Sequence, residues 1–208
     1  MVFVLFLLMK HTIDTFLASL PPETLKQCVI AIESYSNQYI EMIDNTVHSK
    51  IYAIKDVYDT IDELVRDDFK ENKISCKKGC AHCCYLCVYV TPDEIATILD
   101  HCNRNEIEID WDRAETQKDL TPETWVKTPQ KISRCIFLKD RECSIYPVRP
   151  MACRKYHVVT NPKLCDTTTG RHEVAILNNF DVELLVASIH GVRTFDTLSR
   201  QLLKTRNG

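Results

Sequence analysis

Five cysteines stand within twelve residues in the stretch Cys76-Lys77-Lys78-Gly79-Cys80-Ala81-His82-Cys83-Cys84-Tyr85-Leu86-Cys87, and no other feature constrains the chain as much. Disulfides account poorly for such crowding, because neighbours sit three or four residues apart and Cys83 and Cys84 are adjacent. The same spacing suits thiolates turned toward one region, which is what a metal ion or an iron–sulfur cluster requires. A second group follows at Cys135, Cys143, Cys153 and Cys165. The expectation is that the fold brings the two groups together around metal.

Eleven cysteines in 208 residues would read as a disulfide framework in a short secreted chain. Here no secretory signal is legible. The apolar run over residues 2–8 is shorter than the about 20 residues of a membrane span, and it lacks the basic flank and small-residue cleavage site of a signal peptide. Two readings of this run stand: it packs as a strand or helix against the core, or Met9 is the natural start and residues 1–8 are a translated extension, the second being preferred. Clustered thiols of this kind belong in a reducing compartment, so the expectation is a cytoplasmic protein with no stable membrane span. A net charge of −3 gives no electrostatic basis for binding nucleic acid. Four glycines are few for a large all-β fold.

Helical patterning surrounds the cysteines. Pro21-Pro22-Glu23 suits a helix start, where amide hydrogens are unsatisfied and negative charge is favoured. Residues 23–72 contain neither glycine nor proline. Leu25, Val29, Ile32, Tyr35, Tyr39, Ile43, Val47, Ile51, Ile54, Tyr58, Ile61 and Val65 recur at steps of three or four, which marks one continuous apolar helical face as core. Asp44-Asn45-Thr46 is the expected break, giving a hairpin of two helices. Gly79 is expected to supply a left-handed turn. Val88-Tyr89-Val90 has strand character, and Thr91-Pro92-Asp93-Glu94 reads as a capped helix start for a helix ending near Cys102. Residues 103–131 are polar, with a helix restart at Thr121-Pro122-Glu123 and with Trp111 and Trp125 as anchors to the core.

Lys139-Asp140-Arg141 reads as a turn between two short strands. Pro147 and Pro150 then restrict the backbone that presents Cys153. Further helices are expected over 172–189, ending near Gly191, and over 195–203. The fold class is therefore mainly α with a few short strands, a helical scaffold around a cysteine-ligated metal centre. Its parts are a helical hairpin over 10–72, a cysteine-cluster metal-binding region over 73–170, and C-terminal helices over 171–208 packing on the same single domain. Cys28 and Cys102 lie on helical patterns and read as small buried hydrophobes.

Taken together, Cys76-x3-Cys80-x2-Cys83-Cys84, Cys135-x2-Leu138 and Cys143-x-Ile145-Tyr146-x2-Arg149-Pro150-x2-Cys153-Arg154 resemble the YkgJ-like cysteine-cluster family. That family is described as zinc- or iron-chelating and is related to part of flagellin lysine-N-methylase. The resemblance implies metal ligands at Cys76, Cys80, Cys83, Cys84, Cys135, Cys143 and Cys153, with Cys165 matching a further cysteine of closer relatives. The first gap is three residues where the family's usual label has two, and Cys87 is extra.

Three functions fit these residues. The first is an iron–sulfur protein holding a [4Fe–4S] cluster in a redox or structural role. The second is a zinc-binding structural module that presents a surface to a protein partner. The third, by family association alone, is a lysine methylase-like protein-modifying enzyme or subunit; no glycine-rich nucleotide loop and no catalytic triad spacing accompany it. Two four-thiolate zinc sites would carry a net charge of about −4, against about −2 for one cluster, so the cost of burying charge favours iron–sulfur. Lys77, Lys78, Arg134, Arg149 and Arg154 are the compensating cations, Arg149 and Arg154 as partners of the thiolates. His82 and His157 read as hydrogen-bonding or exposed neighbours, since cysteines are in surplus. Cys76-x3-Cys80-x2-Cys83 also has radical-SAM spacing, but a long helical region precedes it where that motif follows the first strand of a barrel.

Overall fold

The computed structural model describes residues 17–43, 46–71, 74–77, 79–166, 174–177 and 179–206, with the backbone alone over 67–71. The expected start at Met9, Asp44 and Asn45 of the expected break, Lys78, and the beginning of the 172–189 pattern lie outside these residues.

Among the described residues the protein is mainly helical with two small sheets. Helix α1, Pro22–Glu41, opens on Pro21 with Pro22 in its first turn and Glu23 beside the amide ends, as the sequence leads one to expect. Helix α2, Val47–Glu71, follows. Ile54, Tyr58, Ile61 and Val65 of α2 are buried, each worth about 1.5–3 kcal/mol when fully removed from water. The apolar face does not stay buried along its whole length: Val29 and Val47 are 41% and 63% exposed. Helix α1 packs chiefly against one late helix, α8, Phe180–Val192. It turns Cys28 and Tyr39 inward and leaves the flank carrying Val29 and Ile30 to solvent. Ser36 donates from α1 to the carbonyl of Ser188 at 3.1 Å.

Helix α2 packs instead on α3, Pro92–Arg104. The α3 start carries the expected capping box: the Thr91 hydroxyl accepts from the Glu94 amide, and the Glu94 carboxylate accepts from the Thr91 amide. Short helices α4, Trp111–Gln117, α5, Pro122–Trp125, and α6, Gln130–Ser133, cross the polar connection. Trp125 is buried, and its indole N–H donates to the Tyr85 carbonyl at 3.0 Å, which anchors this connection to the first cysteine loop.

Strand β1, Tyr89–Val90, pairs antiparallel with β4, Asp196–Thr197, matching Tyr89 to Thr197. Strands β2, Leu138–Lys139, and β3, Glu142–Cys143, form a hairpin. Helix α7, Met151–Arg154, carries Cys153, and α9, Leu198–Arg206, closes the described chain against α4. Two expected bounds are corrected. Helix α8 begins at Phe180, where the Asn179 side chain caps the Val182 amide, and it runs through Gly191. The last helix begins at Leu198, because Asp196–Thr197 are drawn into β4. Among the described residues no helix is long and apolar enough to cross a membrane.

Candidate metal centre

The first cysteine loop is shaped by its own backbone. Gly79 has φ +79°, a left-handed position that a side chain would strain. The Cys80 amide donates back to Lys77 at 2.9 Å and the Cys84 amide to Ala81 at 3.0 Å. His82–Tyr85 then form a 3-10 turn. Although successive residues of such a turn are rotated by about 120°, the thiols of Cys83 and Cys84 are hydrogen-bonded to each other.

The second group sits on short constrained pieces. Asp140 and Arg141 both have positive φ, 48° and 65°, the backbone of a tight hairpin turn, and Cys143 pairs with Leu138 across that hairpin. The Leu138 amide donates to Cys135 at 3.1 Å. Tyr146–Val148 make a 3-10 turn containing Pro147, and Pro150 precedes α7 and its Cys153. Cys165 closes the 3-10 turn Pro162–Cys165.

Backbone hydrogen bonds join the two groups. The Cys135 amide donates to the Cys84 carbonyl at 2.7 Å, and the Ser75 amide to Val158 at 2.9 Å. The Val158 amide donates to the Cys76 sulfur at 3.4 Å. The 82–85 turn lies against the 162–165 turn. The thiols consequently act on one another electrostatically: Cys165 on the side of Cys76, Cys80 and Cys83, Cys84 on that of Cys83, Cys135 and Cys143, and Cys153 with Cys135, Cys83 and Cys143. The eight cysteines singled out in the sequence are all partly accessible, whereas Cys28, Cys87 and Cys102 are buried. Cys87 lies toward β4, next to Arg200 and Asp196, and burial pushes its thiol up to about 12.

Polar clamps hold this region to the helices. The buried Glu94 carboxylate accepts from the Met151 amide at 2.8 Å, so the cap of α3 also fixes the start of α7. Burial pushes Glu94 up to about 7. Arg154 is 4% exposed; it pairs with Asp62 of α2 and donates to the carbonyls of Arg149 at 3.0 Å and Pro147 at 2.5 Å, with its guanidinium over the Tyr58 ring at 4.1 Å. These contacts correct one expectation, since the described donors of Arg154 serve oxygen atoms rather than sulfur. Arg149 lies on the same side of the site, 3.8 Å from the Asp62 carboxylate. It stacks on Tyr146 at 4.1 Å, and its positive charge favours the Cys83 thiolate and partly offsets the burial that raises Cys143.

Burial raises most of these thiols, Cys135 to about 12 and Cys165 to about 11. Cys83 is held below the ordinary thiol range, first by its hydrogen bond with Cys84, then by a backbone donor and Arg149, while Cys84 is raised by that bond and by burial. Amide donors from Val158, Phe137 and Ile145 stabilise the thiolate forms of Cys76, Cys135 and Cys143. A cation would replace the protons that burial now retains, and soft sulfur donors suit zinc or iron–sulfur chemistry. The donor set therefore fits such a group, although no three His, Cys, Asp or Glu side chains among the described residues are gathered as a group that could hold a single ion.

Some placements had no sequence signal. Arg113, on α4, lowers Cys135 from a distance of 22 residues along the chain. Tyr156 is pushed up to about 12 by burial and by Cys165, Cys83 and Cys76. Lys77 and Arg134 are exposed, His82 is half-buried, and His157 is buried.

A mainly helical protein with cysteine turns laced together in this way is a cysteine-cluster protein. Residues 75–175 match the model of the CxxCxxCC family, described as a putative zinc- or iron-chelating domain. The match encloses both cysteine groups and supports metal binding through cysteines. Comparisons with curated proteins and with solved structures return no match.

Proposed function

We propose that this protein holds an iron–sulfur centre through the thiolates of Cys76, Cys80, Cys83, Cys84, Cys135, Cys143, Cys153 and Cys165, in a redox or structural role and in a reducing, cytoplasmic setting. The observation that carries the reading is the sorting of the cysteines. Eight are partly accessible and lie on the loops and turns that the backbone ties together, while the three outside that set are buried. Access matters because metal must enter and protons must leave.

Net charge supports iron–sulfur over zinc in this reading: two four-thiolate zinc sites would carry about −4, against about −2 for one cluster. When bound, the cluster supplies one-electron chemistry or a rigid cross-link. The chain's own residues hold it, donate amide hydrogens to sulfur and place Arg149 beside it.

Anaerobic purification followed by iron, zinc and acid-labile sulfide assays and an absorption spectrum tests the reading. A brown protein with iron, sulfide and a broad visible band is expected. A colourless protein with stoichiometric zinc overturns it.

A further inference from the structure

We infer that the cleft between the 105–112 connection and residues 136–138 is a docking site for an arginine-bearing, extended peptide segment of a partner protein, with the guanidinium laid on Trp111. The cleft encloses about 860 Å³, within the range of about 300–1,000 Å³ typical of ligand sites. None of the eleven cysteines lines it, so binding here can be tested whatever metal the chain carries.

One wall follows directly from the sequence. After α3 the chain reads Glu106-Ile107-Glu108-Ile109-Asp110, alternating acidic and apolar residues. This wall is fixed at both ends, because the Ile107 amide donates to the Cys102 carbonyl and the Trp111 amide to that of Ile109, each at 2.9 Å. Ile107, Ile109 and Trp111 are half-buried, while Glu106, Glu108 and Asp112 are exposed. The opposite wall is Ile136, Phe137 and Leu138, all buried, which makes it apolar.

Charge decides the sign of the ligand. Four carboxylates line the cleft against two cations, Lys139 and Arg206. Asp110 is committed to Arg113 at 2.9 Å and caps α4. Glu106, Glu108 and Asp112 stand outside any ion pair among the described residues. Carboxylates along an apolar wall focus their field into the cleft and draw a cation there. What the aromatic face accepts is visible in the chain itself: the guanidinium of Arg206, at the end of α9, lies over the Trp111 ring at 5.2 Å. Arg206 is exposed and outside any ion pair among the described residues, so an incoming arginine can displace it. The alternation over several residues favours a chain over a small amine. An extended segment repeats its side chains with period two, so alternating arginine and apolar residues would meet the acids and the isoleucines in turn.

The test titrates the full chain, as purified, against a fluorescent peptide of alternating arginine and leucine, and against the same peptide with glutamate for arginine, reading anisotropy. The arginine peptide is expected to bind, to bind less tightly as salt is raised, and to lose about 2- to 30-fold in affinity in Trp111→Leu. Arg206→Gln removes the internal competitor and should tighten binding. If Trp111→Leu loses helicity, the exposed pair Glu106→Gln and Glu108→Gln, tested together, decides by the same weakening. No binding of the arginine peptide, or equal affinity in wild type and every variant, overturns the proposal. Weaker binding in Arg206→Gln, or preference for the glutamate peptide, also overturns it, since Arg206 and Lys139 would then be anchors for an anion. Arginine amide that competes as well as the peptide would put a free small molecule in the cleft and overturn the peptide.

Discussion

Helix α2 buries Ile54, Tyr58, Ile61 and Val65, whereas between residues 74 and 87 the buried residues among those described are Ala81 and Cys87 alone. The helical frame is held by apolar area removed from water, a force that needs no ligand. The first cysteine loop is held by amide–carbonyl bonds and by the Trp125 anchor, each worth only about 0.5–1.5 kcal/mol net, whereas the second group shares the core through Ile136, Phe137, Ile145, Val148 and Met151. The thiols of that second group are raised by burial and so resist the ionisation that metal requires. The contrast implies that metal contributes most where the apolar core contributes least.

The largest effect should come from removing metal. Chelation is expected to abolish amide protection across 74–87, since binding at structural thiolate sites reaches about 10–16 kcal/mol. Protection in the centre of α2 should persist, and hydrogen exchange followed by mass spectrometry reads both at once. Uniform collapse of protection in the two regions would break the comparison.

The converse experiment is Ile61→Ala. A fully buried side chain lost from α2 should cost about 2–5 kcal/mol in denaturant unfolding. Metal per folded chain should stay at the wild-type value. Loss of metal without loss of stability would mean that the frame and the cysteine region are one unit.

Arg154→Met probes the joint between them. It removes the bonds to Asp62, Pro147 and Arg149 while keeping much of the side chain's bulk. The expected cost is about 1–3 kcal/mol, with faster metal release to a chelator. An unchanged release rate would show that the clamp serves the frame alone.

A smaller effect belongs to the frame and to pH. His190 of α8 stacks on Phe195 with ring centres 4.6 Å apart. Burial, then the charge of Lys155, holds it down at about 4, against about 6.5 in the unfolded chain. The unfolded state therefore binds the proton first, and stability contributed at neutral pH is lost as pH falls from about 6.5 toward 4. The ring is half-buried, so the loss by pH 5 is on the order of 1 kcal/mol after allowance for solvent screening. The difference between wild type and His190→Phe in thermal melts at pH 7 and pH 5 measures it, with the variant expected to lose less. Equal losses would remove His190 from the account.

Features set by a few neighbouring residues were legible in the sequence. The left-handed Gly79, the turn at Asp140 and Arg141, and the Thr91–Glu94 box all depend on local backbone chemistry. Features set by distant partners were not. Nothing near Asp196 announces that it pairs with Val90, so the last helix was expected too early. The periodicity through Val29 and Val47 marks a helix but not how many neighbours will cover it. At the candidate site, the clustering of thiols was visible, and so was the exclusion of Cys28 and Cys102 as buried apolar positions. The second duty of Glu94 at Met151 and the approach of Arg113 to Cys135 arise only once the chain is folded.

X-ray absorption at the metal edge of the anaerobically purified full chain tests the central claim most directly, because it reports the donor atoms themselves. The account predicts a first shell of sulfur alone at about 2.3 Å, with a short iron–iron vector marking a cluster. A first shell rich in nitrogen or oxygen would contradict it, since the thiols brought together by these turns would then not be the ligands.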